Sequence, residues 1–188
     1  MSNFRMRLRR GRYPPAVQIR PAVPEEWDAA GRLTLAAYEA IGGAFLDEGY
    51  KMELRDAAPR AREALLLVAS TEPEDAPKPV GSPLLGCVTY VPDEKNPWAE
   101  SLLAGDAGIR MLAVAAAAQG RGIGEALVRE CVGRARSAGK AAVFLHSSKE
   151  MVTAHRLYAR LGFVRAPGRD WFPVPDVDLL AFVLVLNP

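Results

Sequence analysis

The apolar positions of this 188-residue chain change their period along its length, and the changes mark out secondary-structure elements. Val17, Ile19 and Ala22 alternate as a strand does. Pro24, Glu25 and Glu26 then supply an N1 proline and an acidic first turn for a helix running towards Ala40. Gly42-Gly43 ends it. A second helix carrying Tyr50, Met52 and Leu54, with Pro59 further on, leads to an apolar strand from Ala64 to Ser70. Thr71 to Pro83 holds Pro73, Pro77, Pro79, Pro83 and Gly81, a composition expected as an exposed loop between strands. Leu85 to Val91 reads as the next strand, and a polar connection leads to another, Ile109 to Val114. The order that follows is helix 121–138, strand 141–146, helix 150–161 and two closing strands. Ile123, Leu127, Cys131 and Ala135 lie four apart on one stripe of the first of these helices. The alternation predicts an α/β fold, a mixed twisted sheet of about six to seven strands flanked by helices.

Composition narrows the class. With 49% hydrophobic residues the chain can bury an ordinary core as a single domain, 17–188, after a flexible basic tail, 1–16. That tail ends in Tyr13-Pro14-Pro15 and carries Arg5, Arg7, Arg9, Arg10 and Arg12, with no apolar signal-peptide core after them. The longest apolar run, Leu179 to Leu186, falls far short of the roughly 20 residues of a membrane helix. The expected compartment is therefore the cytoplasm. Cys87 and Cys131 fall on a strand and on a helix stripe, where cysteine is a small buried hydrophobe, so no disulfide is expected. Cys and His spacing suggests no metal. A net charge of +2 makes no strong electrostatic case for nucleic acid, leaving the arginine tail as the one feature that favours it.

The most informative stretch is Gln119-Gly120-Arg121-Gly122-Ile123-Gly124, set between the apolar strand and the amphipathic helix. Glycines at a helix start bring unpaired N–H groups and the positive end of the macrodipole to one place, which suits a phosphate. The dinucleotide fingerprint G-x-G-x-x-G begun at Gly120 or Gly122 meets Glu125 or Leu127 where its last glycine belongs. A Walker A loop fails as well, because Gly139-Lys140 is followed by Ala141.

The spacing Q-x-x-G-x-G, with Gln119, Gly122 and Gly124, resembles the pyrophosphate loop of the GNAT superfamily of N-acetyltransferases. Downstream, the run from Ala154 to Phe163, with Tyr158 and then Leu161-Gly162-Phe163, resembles that family's second signature. The two occur in the family's order with helix, strand and helix between them, and the likeness extends back to the strand at Val17. It implies a GNAT-type fold and an acetyl-CoA cosubstrate. It also implies acetyl transfer to a primary amine by direct attack, the acceptor being a small molecule or a peptide. Backbone donors of Gly120, Arg121, Gly122, Ile123, Gly124 and Glu125 would wrap the pyrophosphate beside Gln119. Leu112, Ala113 and Val114 would receive the pantetheine as a pseudo-strand. A homodimer is open.

Two catalytic groups follow from the resemblance. Tyr158 matches the tyrosine that protonates the departing thiolate; a core role on the stripe Met151, Ala154, Tyr158, Leu161 is the alternative. A phenol with pKa about 10 is protonated at neutral pH, whereas a thiol near 8.5 leaves needing a proton. The family's strand glutamate, its usual base, is replaced by Arg110, and arginine cannot take that role. His146, at the end of the next strand, is the better candidate, with a water relay as alternative, and Asp106 lies just upstream. Met151 stands where many relatives carry a cofactor-binding asparagine, and Ser148 is expected to cap the following helix. The missing glutamate and asparagine motivate a rival reading, a non-catalytic acyl-CoA-binding or regulatory module. Tyr38, Phe45, Tyr50, Trp171 and Phe172 are the expected aromatics of an acceptor pocket, with Asp176 and Asp178 as weaker candidates.

Overall fold

The computed structural model describes residues 17–71 and 83–186. The basic tail and residues 72–82 of the proline-rich connection lie outside them. The elements run β1 (Gln18–Pro21), α1 (Trp27–Glu39), α2 (Glu48–Arg55), α3 (Ala58–Glu63), β2 (Leu65–Ser70), β3 (Gly86–Val91) and β4 (Asp106–Val114). They continue α4 (Ile123–Ser137), β5 (Ala142–Ser148), α5 (Val152–Arg160), β6 (Val164–Arg165) and β7 (Leu179–Val185). One seven-stranded sheet has the order β1-β2-β3-β4-β5-β7-β6. Every pairing is antiparallel except β4 with β5.

Strand β2 reads as an unbroken apolar run because both of its faces are covered. Alternation sends Leu67 and Ala69 into the core that includes Ile123, Leu127 and Cys131 of α4. Leu66 and Val68 go to the opposite face, beside Ala30 of α1. Leu66 and Leu67 are 2% and 0% exposed, and truncating either to alanine should cost about 2–5 kcal/mol. Gly86 admits α4 to this face: a Cβ there would sit 2.9 Å from Ala113 O and 3.0 Å from Ile123 Cγ2.

Three boundaries differ from the sequence reading. The second helix is two. Asp56 is extended (φ −91°, ψ 97°), its carboxylate accepts from Ala58 N–H at 3.1 Å, and Pro59 stands in the first turn of α3. The break is stabilised by Arg60, 0% exposed, which donates to the α2 carbonyls of Glu53 and Leu54 at 3.2 Å each and to Thr34 Oγ1 at 3.0 Å. Strand β4 starts at Asp106 rather than Ile109, since Asp106–Gly108 pair in parallel with Ala142–Phe144. Ser148 ends β5 and does not cap α5, whose N-cap is Met151 without a side-chain bond; the Ser148 hydroxyl instead donates to Glu150.

The feature that positions the site is the parting of β4 from β5. Their ladder stops at Gly108 and Phe144, while β5 stays paired with β7 through Ser148. On its other edge β4 carries a bulge: Cys87 faces Ala113 and Thr89 faces Arg110, so Val88 opposes both Met111 and Leu112. Met111 takes φ +52° to make it, a left-handed conformation uncommon for a non-glycine residue. Among the described residues no helix is long and apolar enough to cross a membrane.

Candidate functional site

At the end of β4 the chain passes through Gln119 and enters α4 at Gly122, which takes φ +80° as its N-cap. The first bond of the α4 ladder runs from Ala126 N–H to Gly122 O at 3.0 Å, so the amides of Ile123, Gly124 and Glu125 precede it. Among the described residues no side chain caps them. Gly120 takes φ +71°, and a Cβ there would meet nothing within 4 Å, so the loop is open on that side. A Cβ on Gly124 would lie 3.4 Å from Leu157 Cδ2 and 3.5 Å from Val114 Cγ2, so the start of α4 lies against both β4 and α5. Open backbone, an uncapped helix start and the positive dipole end lie together here, an arrangement that suits an anion. Arg121 donates to Ala117 O at 3.4 Å, and the Glu125 carboxylate is held by Arg129 at 2.9 Å. Val114 and Gln119 also line a cleft of about 400 Å³ against the alanine-rich face of α1. Of the strand positions, Ala113 is 3% exposed, while Leu112 and Val114 are half-buried.

Tyr158 is 5% exposed, with its ring 5.7 Å from those of Phe163 and Phe182. Its hydroxyl has no hydrogen-bond partner among the described residues. Burial, more than the neighbouring Cys131, pushes its pKa well up, so the phenol is held protonated. Tyr38, from α1, is likewise pushed up, first by its own burial and then by the phenols of Tyr50 and Tyr158. Tyr158 thus lies within electrostatic reach of the other side of the opening.

That other side is a cavity of about 270 Å³ at the splay, with Arg110 and Met111 of β4 on one wall and His146, Ser147 and Ser148 of β5 on the other. Tyr38, Phe45 and Tyr50 meet edge to face at 6.2–6.5 Å and line it, together with Trp171 from the segment before β7. These four expected aromatics converge. Phe172 does not line the cavity and is 63% exposed, and Asp178 pairs with Lys149 at 2.6 Å away from it. Asp106 is also elsewhere engaged, with Arg169 at 3.2 Å.

His146 lines the cavity, two residues before the end of β5. Its Nε2 donates to Arg169 O at 2.8 Å, which leaves Nδ1 as the acceptor, and Nδ1 is buried without a partner. Burial lowers its pKa, the bond to Arg169 O opposes, and the Arg169 charge adds to the lowering, so the ring is neutral at pH 7.

Two functional candidates escaped the sequence reading. Arg110 Nη2 lies 2.5 Å from Glu100 Oε1 and 3.8 Å from Glu53 Oε1, and all three residues line the cavity. Glu53 is on α2 and Glu100 in the connection before β4. The signal available was Arg110 itself, a cation at a half-buried strand position that needs an anion from elsewhere.

The sequence profile of the Acetyltransferase (GNAT) family matches residues 27–163. Among solved structures, an acetyltransferase of the GNAT family from Staphylococcus aureus Mu50 is similar in fold, with TM-score 0.66 and 13% identity over 92% of this chain and 100% of that one. A GCN5-related N-acetyltransferase from Kribbella flavida has TM-score 0.60 and 23% identity, covering 90% of this chain and 98% of its own. A GNAT family acetyltransferase from Brucella melitensis, solved in complex with acetyl-CoA, has TM-score 0.58 and 24% identity, covering 92% and 89%. No curated protein sequence matches the chain.

Proposed function

Because the chain belongs to the GNAT family of acetyltransferases, we propose that it moves the acetyl group of acetyl-CoA to a primary amine held in the cavity at the β4/β5 splay. The observation that carries this reading is the coincidence of three features. An aromatic-lined cavity, an opened strand edge and an uncapped glycine cradle follow one another along β4 and the loop after it.

Acetyl-CoA is the cosubstrate, its pyrophosphate on the amides of Gly120 to Glu125 beside Gln119. The pantetheine lies along Leu112, Ala113 and Val114, where β5 no longer pairs with β4. When bound, it supplies an acyl carbon activated as a thioester. The protein supplies orientation: cofactor and amine approach from the two ends of one opening, so attack is direct and needs no acyl-enzyme. Tyr158 donates the proton that the departing sulfur requires. Burial raises the pKa of the phenol, so it is protonated and has a proton to give when the sulfur leaves.

The amine must lose protons as well. An alkyl ammonium of pKa near 10.4 is neutral in only about one molecule in 2,500 at pH 7. The cavity offers His146 and the carboxylates of Glu53 and Glu100.

The test is a screen of amines, antibiotics and peptides for release of free CoA thiol, alongside acetyl-CoA-induced change in melting temperature. We expect both thiol release and a thermal shift. A shift with no thiol release across the panel would sink the enzyme reading in favour of an acyl-CoA-binding module.

A further inference from the structure

The cavity has a charge surplus that its structural bonds do not cancel. Among the described residues its charged lining is Asp47, Glu53 and Glu100 against the single cation Arg110, with His146 neutral. Asp47 is already used, accepting Tyr50 N–H at 2.7 Å as the N-cap of α2. Glu53 and Glu100 share one guanidinium between them, at 3.8 Å and 2.5 Å, with side chains 42% and 33% exposed. The guanidinium is itself fixed, lying 5.5 Å over the Trp98 ring, while Trp98 Nε1 donates to Glu63 at 2.8 Å. So the pair is held from below and open above.

A second, independent observation concerns Tyr38. It lines the same cavity and is 7% exposed, yet its hydroxyl has no hydrogen-bond partner among the described residues. The hydroxyl oxygen is not sealed off, so it opens onto the cavity, where a guest can be its partner. The rings of Tyr38, Phe45 and Tyr50 meanwhile offer faces and edges to an apolar body and attraction to a cation.

Taking the acetyl-transfer reading as its basis, we propose that the acceptor is a compact ammonium with an apolar or aromatic body. Its charge is seated on Glu53 and Glu100, which Arg110 gathers from α2 and from the connection before β4, and Glu100 takes its first proton. The surplus charge suits an ammonium and repels a substrate carrying its own carboxylate nearby. His146 is the poorer acceptor. One of its nitrogens is committed to Arg169 O and the other is sealed, so it would have to leave its place before taking a proton. Burial raises the Glu100 carboxyl above its ordinary range, Arg110 opposes this and Glu53 adds to it, which moves Glu100 towards a useful base.

The step balances. The ammonium gives one proton to Glu100 and thence to solvent. The freed amine nitrogen bonds to the acyl carbon as its bond to sulfur breaks. The new amide nitrogen sheds its second proton, and the thiolate takes one from Tyr158, which solvent restores. The products are amide, CoA thiol and one released proton.

The test separates the seat from the reaction. Calorimetry on the CoA-loaded protein compares phenethylamine with phenethyl alcohol, its neutral isostere, and thiol release compares phenethylamine with phenylalanine. Wild type should bind phenethylamine at least tenfold tighter than the alcohol and acetylate it at least tenfold better than phenylalanine. E53Q should raise KM by a larger factor than it lowers kcat. E100Q should lower kcat at least tenfold and remove the acid limb of its pH profile, with E100D restoring part of both. The other titratable groups facing the cavity, Asp47, Tyr38, Tyr50, Arg110 and His146, are unchanged in these variants. Each variant must keep its acetyl-CoA thermal shift, which shows that it folds. Failure of phenethylamine to bind, or a preference for it that survives E53Q/E100Q, overturns the seat; an unaltered kcat profile in E100Q overturns the proton role. If the ammonium preference holds and no thiol is released, the seat stands and the acetyl-transfer reading is the one that fails.

Discussion

The two ends of the β4/β5 opening are built from different materials. In the proposed reading the donor end is backbone: six consecutive residues, Gln119 to Gly124, whose glycines at φ +71° and +80° free amides at a helix start uncapped among the described residues. The acceptor end is side chains. Tyr38, Phe45, Glu53, Glu100, Arg110, His146 and Trp171 come from seven separate stretches of chain and meet only in the fold. A backbone site tolerates almost any change in side chain except one that enters it, whereas a side-chain site fails piece by piece.

The largest effect should come from intruding on the backbone. Gly122→Glu puts a carboxylate at φ +80° in the cradle and should abolish the acetyl-CoA-induced rise in melting temperature. Gly122→Ala adds no charge and carries the left-handed backbone cost, about 1–2 kcal/mol, so it should keep a reduced shift. Equal behaviour of the two would mean the loop is a turn and no more. Next in size, Tyr158→Phe should lower kcat about a hundredfold to ten-thousandfold while acetyl-CoA affinity barely changes. Full turnover in this variant would return Tyr158 to the core alone.

A smaller effect tests whether the acceptor wall depends on remote packing. Arg60→Ala removes a buried side chain and leaves the Glu53 and Leu54 carbonyls without their donor. Stability should fall by about 2–4 kcal/mol in chemical denaturation, from cavity and orphan acceptors together. The amine KM should rise as α2 loosens under Glu53 and Tyr50, while the acetyl-CoA shift stays. Loss of both functions together would erase the distinction between the two ends.

The smallest effect is a pH dependence. Burial lowers the pKa of His146 from its ordinary 6.5, so the unfolded chain takes up a proton more readily than the folded one. Its contribution to stability is therefore complete above 6.5 and declines as the pH falls below it towards the lowered folded value. His155 is shifted the same way, chiefly by burial. Melting temperature should drop between neutral and mildly acid pH, and His146→Gln should flatten part of that slope; an unchanged slope would show that His146 does not carry it.

Much of the fold was legible because local pattern and burial agree. The alternation at Val17–Ile19, the stripe Ile123, Leu127, Cys131, Ala135 and the double-sided run of β2 each state their surroundings in their own period. The misreadings lie where a distant contact decides. Two helices replace one at Asp56 because Arg60 reaches back to α2, and β5 continues to Ser148 because β7 keeps pairing with it. Neither partner is visible from within the segment.

The same division separates donor from acceptor. By itself the sequence determined the cradle, the spacing of its glycines and the tyrosine helix that follows, because backbone conformation near glycine is a local property with a local cost. Only the tertiary structure decided which carboxylates reach Arg110. Arg110 rules out a carboxylate at its own position, and the fold then brings Glu53 and Glu100 to it across 57 and 10 positions of chain. Charge pairing through space carries no sequence period, so nothing short of the folded sheet could reveal it.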